Sequence, residues 1–247
     1  ELVPALAQVA SQPTAVWLDR IEAIHGGDVN GGRLSLREHL DNALAQKPEG
    51  EPIAATFVVY NLPDRDCAAL ASNGTLHSDQ NGQSIYKSDY IDVIAETFAD
   101  PKYRDIRIVT IVEPDSLPNL VTNLDDPDCA KVQQDGTYVD GIRYALQQFA
   151  KLPNVYTYLD IAHSGWLGWP NNFDPAVQLY TNVVRSVAGG DMSVVDGFVS
   201  NVANYTPTEE SWLPDPEQRT GGGNPVRAAD FFEWNPMFDE LDYTERL

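Results

Sequence analysis

The sequence alternates between short strand-like segments and helical segments, and this order restricts the fold more than any other feature. Five segments rich in β-branched and aromatic residues predict strands: residues 14–19, 55–62, the first part of 107–120, 155–163 and 195–205. Segments with apolar residues at helical spacing lie between or after them: residues 35–46, 88–100, 138–152, 174–190 and 235–247. Strands separated by helices indicate βαβ units and a parallel sheet, so the predicted fold class is α/β.

The number of predicted strands bears on how this sheet is completed. Five strands are too few to close a (β/α) barrel, and the sequence stops inside a helix that we predict to start with Asn235 as its N-cap. We therefore expect residues 1–247 to be one domain, the N-terminal majority of a larger barrel that is incomplete at its C-terminus. An open doubly wound sheet is the other α/β arrangement. No Gly-rich phosphate loop follows a predicted strand, which argues against nucleotide binding.

The acidic balance of the sequence excludes several classes of partner. The 247 residues carry a net charge of −21, which argues against nucleic-acid binding because that function needs Lys and Arg. No run of roughly 18 apolar residues is present, so we expect no membrane span. No signal peptide is visible at Glu1, but a mature or trimmed chain would lack one.

The same acidity has two interpretations. It suits solubility in an extracellular or salty setting, and this is the interpretation we favour. A calcium requirement is the alternative, with residues 124–128 as its best candidate, although they lack the spacing of an EF-hand loop. We predict no cofactor and no metal.

The two cysteines, Cys67 and Cys129, also leave two possibilities open. They could be free thiols in the core, or they could form a disulfide if both follow neighbouring strands in a secreted protein. A disulfide would close a loop of about 60 residues, worth roughly 4 kcal/mol in the chain-entropy model.

The third predicted strand begins as a β-branched run suited to a dry interior and then meets Glu113 and Asp115. Strand alternation predicts that Ile111, Glu113 and Asp115 share one face. An isolated buried carboxylate tends to shift its pKa and to bind a proton. A proton held near neutral pH is what a general acid needs.

Polar residues gather at the C-terminal ends of the predicted strands, where the sites of (β/α) barrels lie. They are Asp19, Tyr60, Asp66, Asp115, Asp160, His163 and Asn204. The connection after the second strand is far longer than a usual βα loop, and it places Arg65 and Asp66 just past the strand end. If the second and third strands are neighbours, Asp66 and Asp115 face each other and one pKa is raised. Paired carboxylates with separated pKa values are typical of glycoside hydrolysis, whereas the plainer alternative makes Asp66 a turn residue or the salt-bridge partner of Arg65.

Three tryptophans are candidate platforms for sugar rings, whose apolar faces suit flat aromatic surfaces. Trp166 and Trp169 lie on a Gly-broken segment with His163, just after the fourth strand, and Trp17 lies on the first strand. Each has an alternative: Trp166 and Trp169 as a hydrophobic plug, Trp17 as a core residue and His163 as a hydrogen-bonded loop histidine.

Four segments in order resemble glycoside hydrolase family 6. They are "VVYNLPDRDCAALASNG", "IVEPDSLPNLVTNL", "YLDIAHSGWLGWP" and "NVANY". The resemblance implies a distorted (β/α) barrel of seven strands. It also implies inverting cleavage of the β-1,4-glucosidic bonds of cellulose by a cellobiohydrolase or an endoglucanase.

The resemblance further implies roles at matching positions. Asp115 matches the proton donor, and Asp66 matches the acid that tunes the donor's pKa. Tyr60 matches a tyrosine that crowds the distorted sugar, and Ser72 matches a serine that helps to hold the attacking water. Cys67 and Cys129 match a family disulfide. The other matches or strand-end candidates for substrate binding are Trp17, Asp19, Arg65, Asp160, His163, Trp166, Trp169 and Asn204.

The family's proposed base aspartate, a further aromatic platform and a second disulfide have no counterpart in this sequence. The long loop after Tyr60 and the segment 206–227 favour the enclosed cleft of a cellobiohydrolase. We expect a secreted monomer that acts on cellulose and cello-oligosaccharides, with an attached cellulose-binding module as a possibility. The alternatives are an endo-1,4-β-glucanase of the same family and a non-catalytic glucan-binding protein.

Overall fold

The chain folds around a parallel sheet whose five strands lie side by side in sequence order. The computed structural model describes residues 6–8, 12–187, 189–211 and 234–247. The strands are β1 Val16–Leu18, β2 Ile53–Val59, β3 Ile106–Val112, β4 Val155–Asp160 and β5 Gly197–Val199. Each strand pairs in parallel with the next in the chain. A doubly wound sheet reverses its strand order at a switch point, so the unbroken order is that of a barrel, and the α/β prediction is confirmed.

Helices and short turns fill the connections between the strands. The helices are α1 Ile21–His25, α2 Leu36–Gln46, α3 Gly82–Ile85, α4 Asp92–Phe98, α5 Ser116–Thr122, α6 Pro127–Asp135, α7 Thr137–Phe149, α8 Ser164–Leu167, α9 Pro170–Val187 and α10 Glu240–Arg246. A π-helical turn, Tyr86–Ile91, joins α3 to α4. None of the helices in the described ranges meets the length and hydropathy that a membrane span requires.

One face of the sheet packs against the helices and forms the main core. Phe57, Ile108 and Leu159 are buried on this face, and Phe57 meets Phe98 of α4 at 5.5 Å between ring centroids. Trp17 is in register with Val58 on the next strand. Because side chains alternate along a strand, both residues point to the other face of the sheet. Trp17 is 39% exposed there, so the candidate core role for this tryptophan is wrong.

Several predicted helix boundaries differ from the structure. The helix predicted over residues 35–46 is confirmed as α2, Leu36–Gln46, and Ser35 and Glu38 form a capping box at its start. The helix predicted from residue 88 instead continues back through the π-helical turn to Gly82. The last helix starts at Glu240 with Asp239 as its N-cap, whereas the Asn235 side chain accepts from the Met237 N–H. Most of the segment 206–227 lies outside the described residues.

A disulfide joins the long loop after β2 to α6. Cys67 and Cys129 are bonded, with their Cα atoms 5.0 Å apart, so the predicted pairing is confirmed and the free-thiol alternative is wrong. Asp126, in the segment considered for calcium, caps α6 by accepting from the Asp128 N–H at 2.9 Å. The disulfide anchors the loop that begins at Tyr60, and this loop forms one wall of the candidate site.

Candidate active site

A cleft of about 560 Å³ opens at the carboxyl ends of the strands. Strands β2 and β3 are in register up to the pair Val59 and Val112, so the segments that follow them emerge side by side. The cleft is lined by Trp17, Tyr60, Asp66, Ala68, Ala69, Ser72, Asp115, Asn119, Asn123, Trp166, Val202 and Ala203. It therefore brings together the two predicted acids, the tyrosine, the serine and two of the three candidate tryptophans.

The chain leaves β3 through two residues with left-handed backbone. Glu113 has φ of 49° and Asp115 has φ of 58°, a region that side chains other than glycine rarely adopt and that is often found at functional sites. Strand alternation ends at Val112, so the prediction that Ile111, Glu113 and Asp115 share one face is wrong. Instead, Glu113 is buried with 1% exposure, while Asp115 lines the cleft.

Asp115 lies where an acid can hold a proton. Burial, and next the negative charge of Asp66, raise its pKa from 3.8 to about 6. The backbone around it is fixed, because its N–H donates to Asp160 at 3.1 Å and its carbonyl accepts from Asn119 at 2.6 Å. At mildly acidic pH this carboxyl group can donate a proton to an atom bound in the cleft.

Asp160 lies behind Asp115, at the end of β4. It is 2% exposed, and its Oδ1 accepts from the N–H groups of Asp115 and Ala162, at 3.1 and 3.0 Å. Burial is the main cause that raises its pKa to about 8. In this arrangement Asp160 supports the Asp115 backbone, and the predicted contact with substrate stays a prediction.

Tyr60 and Asp66 form the opposite wall of the cleft. The Tyr60 hydroxyl donates to the Asp66 carboxylate, and burial, followed by this hydrogen bond, raises the pKa of Tyr60. Asp66 has left-handed backbone with φ of 54°, which turns the loop sharply after the strand. The tyrosine ring and the carboxylate are thus held in one orientation toward Asp115.

Arg65 holds this wall from behind. Its guanidinium lies 4.0 Å from the centre of the Tyr60 ring, and it donates to the carbonyls of Asp19, Tyr60 and Ser72 at 2.8, 2.5 and 3.0 Å. With 9% exposure and three backbone acceptors, Arg65 fixes the loop. The alternative that Asp66 is only its salt-bridge partner does not describe these contacts, and a substrate contact of Arg65 stays a prediction.

Indole rings stand at two sides of the cleft. Trp17 packs edge-on against Tyr60, with ring centroids 5.4 Å apart. The Trp166 N–H donates to the Thr122 hydroxyl at 2.8 Å, which fixes the orientation of this ring. Both tryptophans line the cleft, so each offers an aromatic surface to a bound ring.

The remaining candidates lie elsewhere on the same rim. Trp169, His163 and Asn204 line a second pocket of about 280 Å³. Asp19 forms an ion pair with Arg20 at 2.8 Å. Of the predicted substrate-binding residues, Trp17 and Trp166 therefore line the cleft, and His163, Trp169 and Asn204 line the second pocket, whereas Asp19, Arg65 and Asp160 line neither.

Sequence reasoning missed Asn119 and Asn123, which line the cleft. Asn123 donates to the Asn119 side chain at 2.6 Å, and Asn119 binds the Asp115 carbonyl. The signal was present, because residues 115, 119 and 123 are spaced by four and so share one face of a helix. These amides add hydrogen-bonding groups beside the acid.

Comparison with known proteins identifies this arrangement. The profile described as "Glycosyl hydrolases family 6" matches residues 1–234. A parallel sheet in barrel order with its site at the carboxyl ends of the strands defines a (β/α) barrel type of domain. Within that class, the chain belongs to glycosyl hydrolase family 6.

Three relatives show the extent of the similarity. Exoglucanase A of Cellulomonas fimi is 50% identical over 250 residues, covering 99% of this chain and 28% of that protein. The solved catalytic domain of Cellulomonas fimi Cel6B is 49% identical with a TM-score of 0.88, covering 97% of this chain and 53% of the solved chain. Cellobiohydrolase II (Cel6A) from Humicola insolens, solved with glucose and cellotetraose, is 36% identical with a TM-score of 0.79, covering 98% and 59%. The chain thus spans between about a quarter and three fifths of these relatives.

Proposed function

We propose that the protein is a glycoside hydrolase that cleaves β-1,4-glucosidic bonds of cellulose with inversion and releases cellobiose from chain ends. The observation that carries the proposal is Asp115, a carboxyl group with a raised pKa that faces Asp66 in a cleft bordered by Trp17 and Trp166. Family membership supports it, as do the exoglucanase and cellobiohydrolase names of the relatives.

In this proposal Asp115 donates its proton to the glycosidic oxygen of the leaving sugar. The negative charge of Asp66 helps to keep the proton on Asp115 until it is transferred, because two like charges so close together are unfavourable. Asp66 also faces the positive charge that develops on the sugar ring. Positioned acid catalysis of this kind contributes roughly 10²–10⁴ in rate.

Tyr60 and Ser72 act on the other side of the reacting bond. The Tyr60 ring, held by Asp66 and Arg65, narrows the cleft beside Asp115 and favours a distorted sugar. A water held near Ser72 and Tyr60 attacks the anomeric carbon from the face opposite the leaving group as the glycosidic bond breaks, and the proton that this water loses passes to solvent. Attack from that face inverts the configuration of the anomeric carbon.

The indole rings bind the glucan on either side of the reacting bond. Trp17 and Trp166 lie in the cleft itself, and Trp169 extends the aromatic surface into the neighbouring pocket. Humicola insolens cellobiohydrolase II, which has the same fold, was solved with cellotetraose, and this supports a cello-oligosaccharide as the ligand here.

We further propose that the protein acts outside the cell as a monomer. The disulfide suits an oxidising compartment. The net charge of −21 makes copies repel one another. An attached cellulose-binding module stays a prediction.

The proposal is tested by following cellotetraose hydrolysis by the full-length protein with ¹H NMR. An inverting exo-enzyme should first release cellobiose in the α configuration. Release of the β form would contradict inversion, and mixed oligosaccharides from the interior of longer chains would indicate the endoglucanase instead. If amorphous cellulose were bound without release of soluble sugar, the protein would be a non-catalytic glucan-binding protein.

A further inference from the structure

Glu113 is a buried carboxylate that the proposed chemistry does not use. It follows β3 directly and is 1% exposed. It accepts from the Asn61 N–H at 3.1 and 3.2 Å, from the Leu62 N–H at 3.2 Å and from the Tyr86 hydroxyl at 2.8 Å. Its partners therefore belong to two other segments, the loop after β2 and the π-helical turn.

These donors offset the cost of placing a carboxylate in the core. Burial raises the pKa of Glu113 to about 7, while the hydrogen bonds from Asn61, Tyr86 and Leu62 act in the opposite direction. A buried carboxylate without partners costs several kcal/mol, whereas charge-assisted hydrogen bonds are short and strong. An apolar residue at this position would leave two backbone N–H groups without acceptors.

The contacts of Glu113 join the two walls of the cleft. Asn61 and Leu62 come directly after Tyr60, and Asp115 lies two residues beyond Glu113. We therefore expect a change in the bond between Glu113 and Asn61 to shift Tyr60 relative to Asp115. The strand pairing joins the same two segments, because the Glu113 N–H donates to the Val59 carbonyl at 2.8 Å.

The π-helical turn adds further hydrogen bonds to the segments that these Glu113 contacts join. Tyr90, one turn beyond Tyr86, donates its hydroxyl to the Leu18 carbonyl at the end of β1 and accepts from the Tyr60 N–H at 2.9 Å. The rings of Tyr86 and Tyr90 pack together with centroids 5.6 Å apart. One turn of helix thus binds the ends of β1 and β2 and also Glu113 after β3, which agrees with the frequent placement of π-turns at functional sites.

We propose that Glu113 is a positioning residue that sets how the Tyr60–Asp66 wall faces Asp115, and that turnover depends on it although it does not touch substrate. The inference rests on the proposed function, because it concerns the geometry of that reaction. A displacement of about 1 Å in such a site can lower the rate on the order of 10²-fold.

Two substitutions in the full-length protein test the inference. Glu113→Gln keeps the length of the side chain but turns an NH₂ group toward N–H and O–H donors. Glu113→Asp keeps the charge but shortens the side chain by one methylene, which moves the carboxylate away from its donors. We expect kcat on cellotetraose to fall about 10- to 100-fold in both variants. The Kd of a thio-linked cellotetraose, which is not hydrolysed, should change less than about threefold by calorimetry because the indole rings remain in place.

The matched control is Thr110→Val, on the same strand. Thr110 is buried and donates to the Thr157 hydroxyl at 3.1 Å, so its loss lowers stability without reaching the cleft, and kcat should stay within about twofold. If Glu113→Gln and Glu113→Asp fold as the wild type does by near-ultraviolet circular dichroism and keep wild-type kcat, the inference is wrong.

Should both Glu113 variants fail to fold, Tyr86→Phe decides, because it removes only one donor. A several-fold loss of kcat at unchanged Kd supports the positioning role, and a wild-type kcat overturns it. An inactive wild type would instead refute the proposed function, and this inference with it, so the two failures are distinguishable.

Discussion

Asp66→Asn should move the basic limb of the pH–rate profile to lower pH. In the proposed mechanism Asp115 acts as an acid only while it holds its proton, so activity should be present at low pH and be lost as pH rises through its pKa of about 6. The substitution removes the negative charge that helps to raise this pKa, but it keeps an oxygen that can accept from the Tyr60 hydroxyl.

The size of the expected movement follows from the causes of the shift. The pKa of Asp115 rises from 3.8 to about 6, and burial is a larger cause than the charge of Asp66. Removal of that charge should therefore move the limb by less than about one pH unit. At pH 6 the protonated fraction of Asp115 would fall from about one half toward about one tenth.

The assay is kcat/KM for cellotetraose across the pH range at constant ionic strength, since this ratio reports the pKa values of the free enzyme. Asp105→Asn is the matched control. Asp105 is exposed and directly precedes β3 at its other end, about 23 Å from Val112 at 3.3 Å per residue. Its profile should match the wild type. A basic limb that stays in place, or moves to higher pH, in Asp66→Asn would refute the electrostatic link between the two acids.

Three further predictions concern stability and binding. Burial raises the pKa of Asp160 from 3.8 to about 8, so its contribution to stability is complete below the pKa of the unfolded state and is lost as pH rises through the pKa of the folded state. The Tm of the wild type should therefore fall between about pH 4 and pH 8, and Asp160→Asn should reduce this fall. An equal fall of Tm in both proteins would contradict a buried protonated Asp160. Trp17→Ala should raise the Kd of a thio-linked cellotetraose, which is not hydrolysed, about tenfold by calorimetry, because it removes an exposed ring from the cleft. An unchanged Kd would remove Trp17 from the binding surface. Replacing Cys67 and Cys129 together by Ala should lower the free energy of unfolding by roughly 4 kcal/mol in urea titrations, given their sequence separation of 62; a loss below about 1 kcal/mol would show that the bond constrains little.

The order of the sheet and the meeting of the two acids could be predicted from the sequence. Consecutive parallel strands tend to be neighbours, so residues that follow β2 and β3 come out on the same edge. That rule brings the segments that carry Asp66 and Asp115 to the same edge of the sheet. Helix α2 could also be predicted from the sequence, because the spacing of Ser35 and Glu38 is that of a capping box.

The turn after β3 could not be predicted in the same way. Strand alternation assumes extended backbone, but Glu113 and Asp115 are left-handed without being glycine. Such conformations persist only where surrounding contacts hold them, and here those contacts come from Asn61, Tyr86 and Asp160, far away in sequence. That Glu113 is buried while Asp115 lines the cleft therefore depends on tertiary structure.

The role of Arg65, a charged side chain, also could not be predicted from the sequence. Its position beside Asp66 suggested an ion pair or a substrate contact, whereas its guanidinium binds backbone carbonyls, including that of Asp19, 46 residues earlier. The sequence does not show which backbone carbonyls will accept from a side chain, because every residue has one. Only the folded loop shows that Arg65 holds Tyr60.

The most direct test of the central claim is to compare Asp115→Ala on two substrates in the full-length protein. Cellotetraose needs a proton on its leaving oxygen, whereas a cellobioside with a dinitrophenyl leaving group does not, because that phenolate is stable without one. If Asp115 supplies the proton, turnover of cellotetraose should fall roughly 10²–10⁴-fold while turnover of the activated cellobioside stays close to that of the wild type. Equal losses on both substrates, or no loss on cellotetraose, would contradict the assignment of Asp115 as the proton donor.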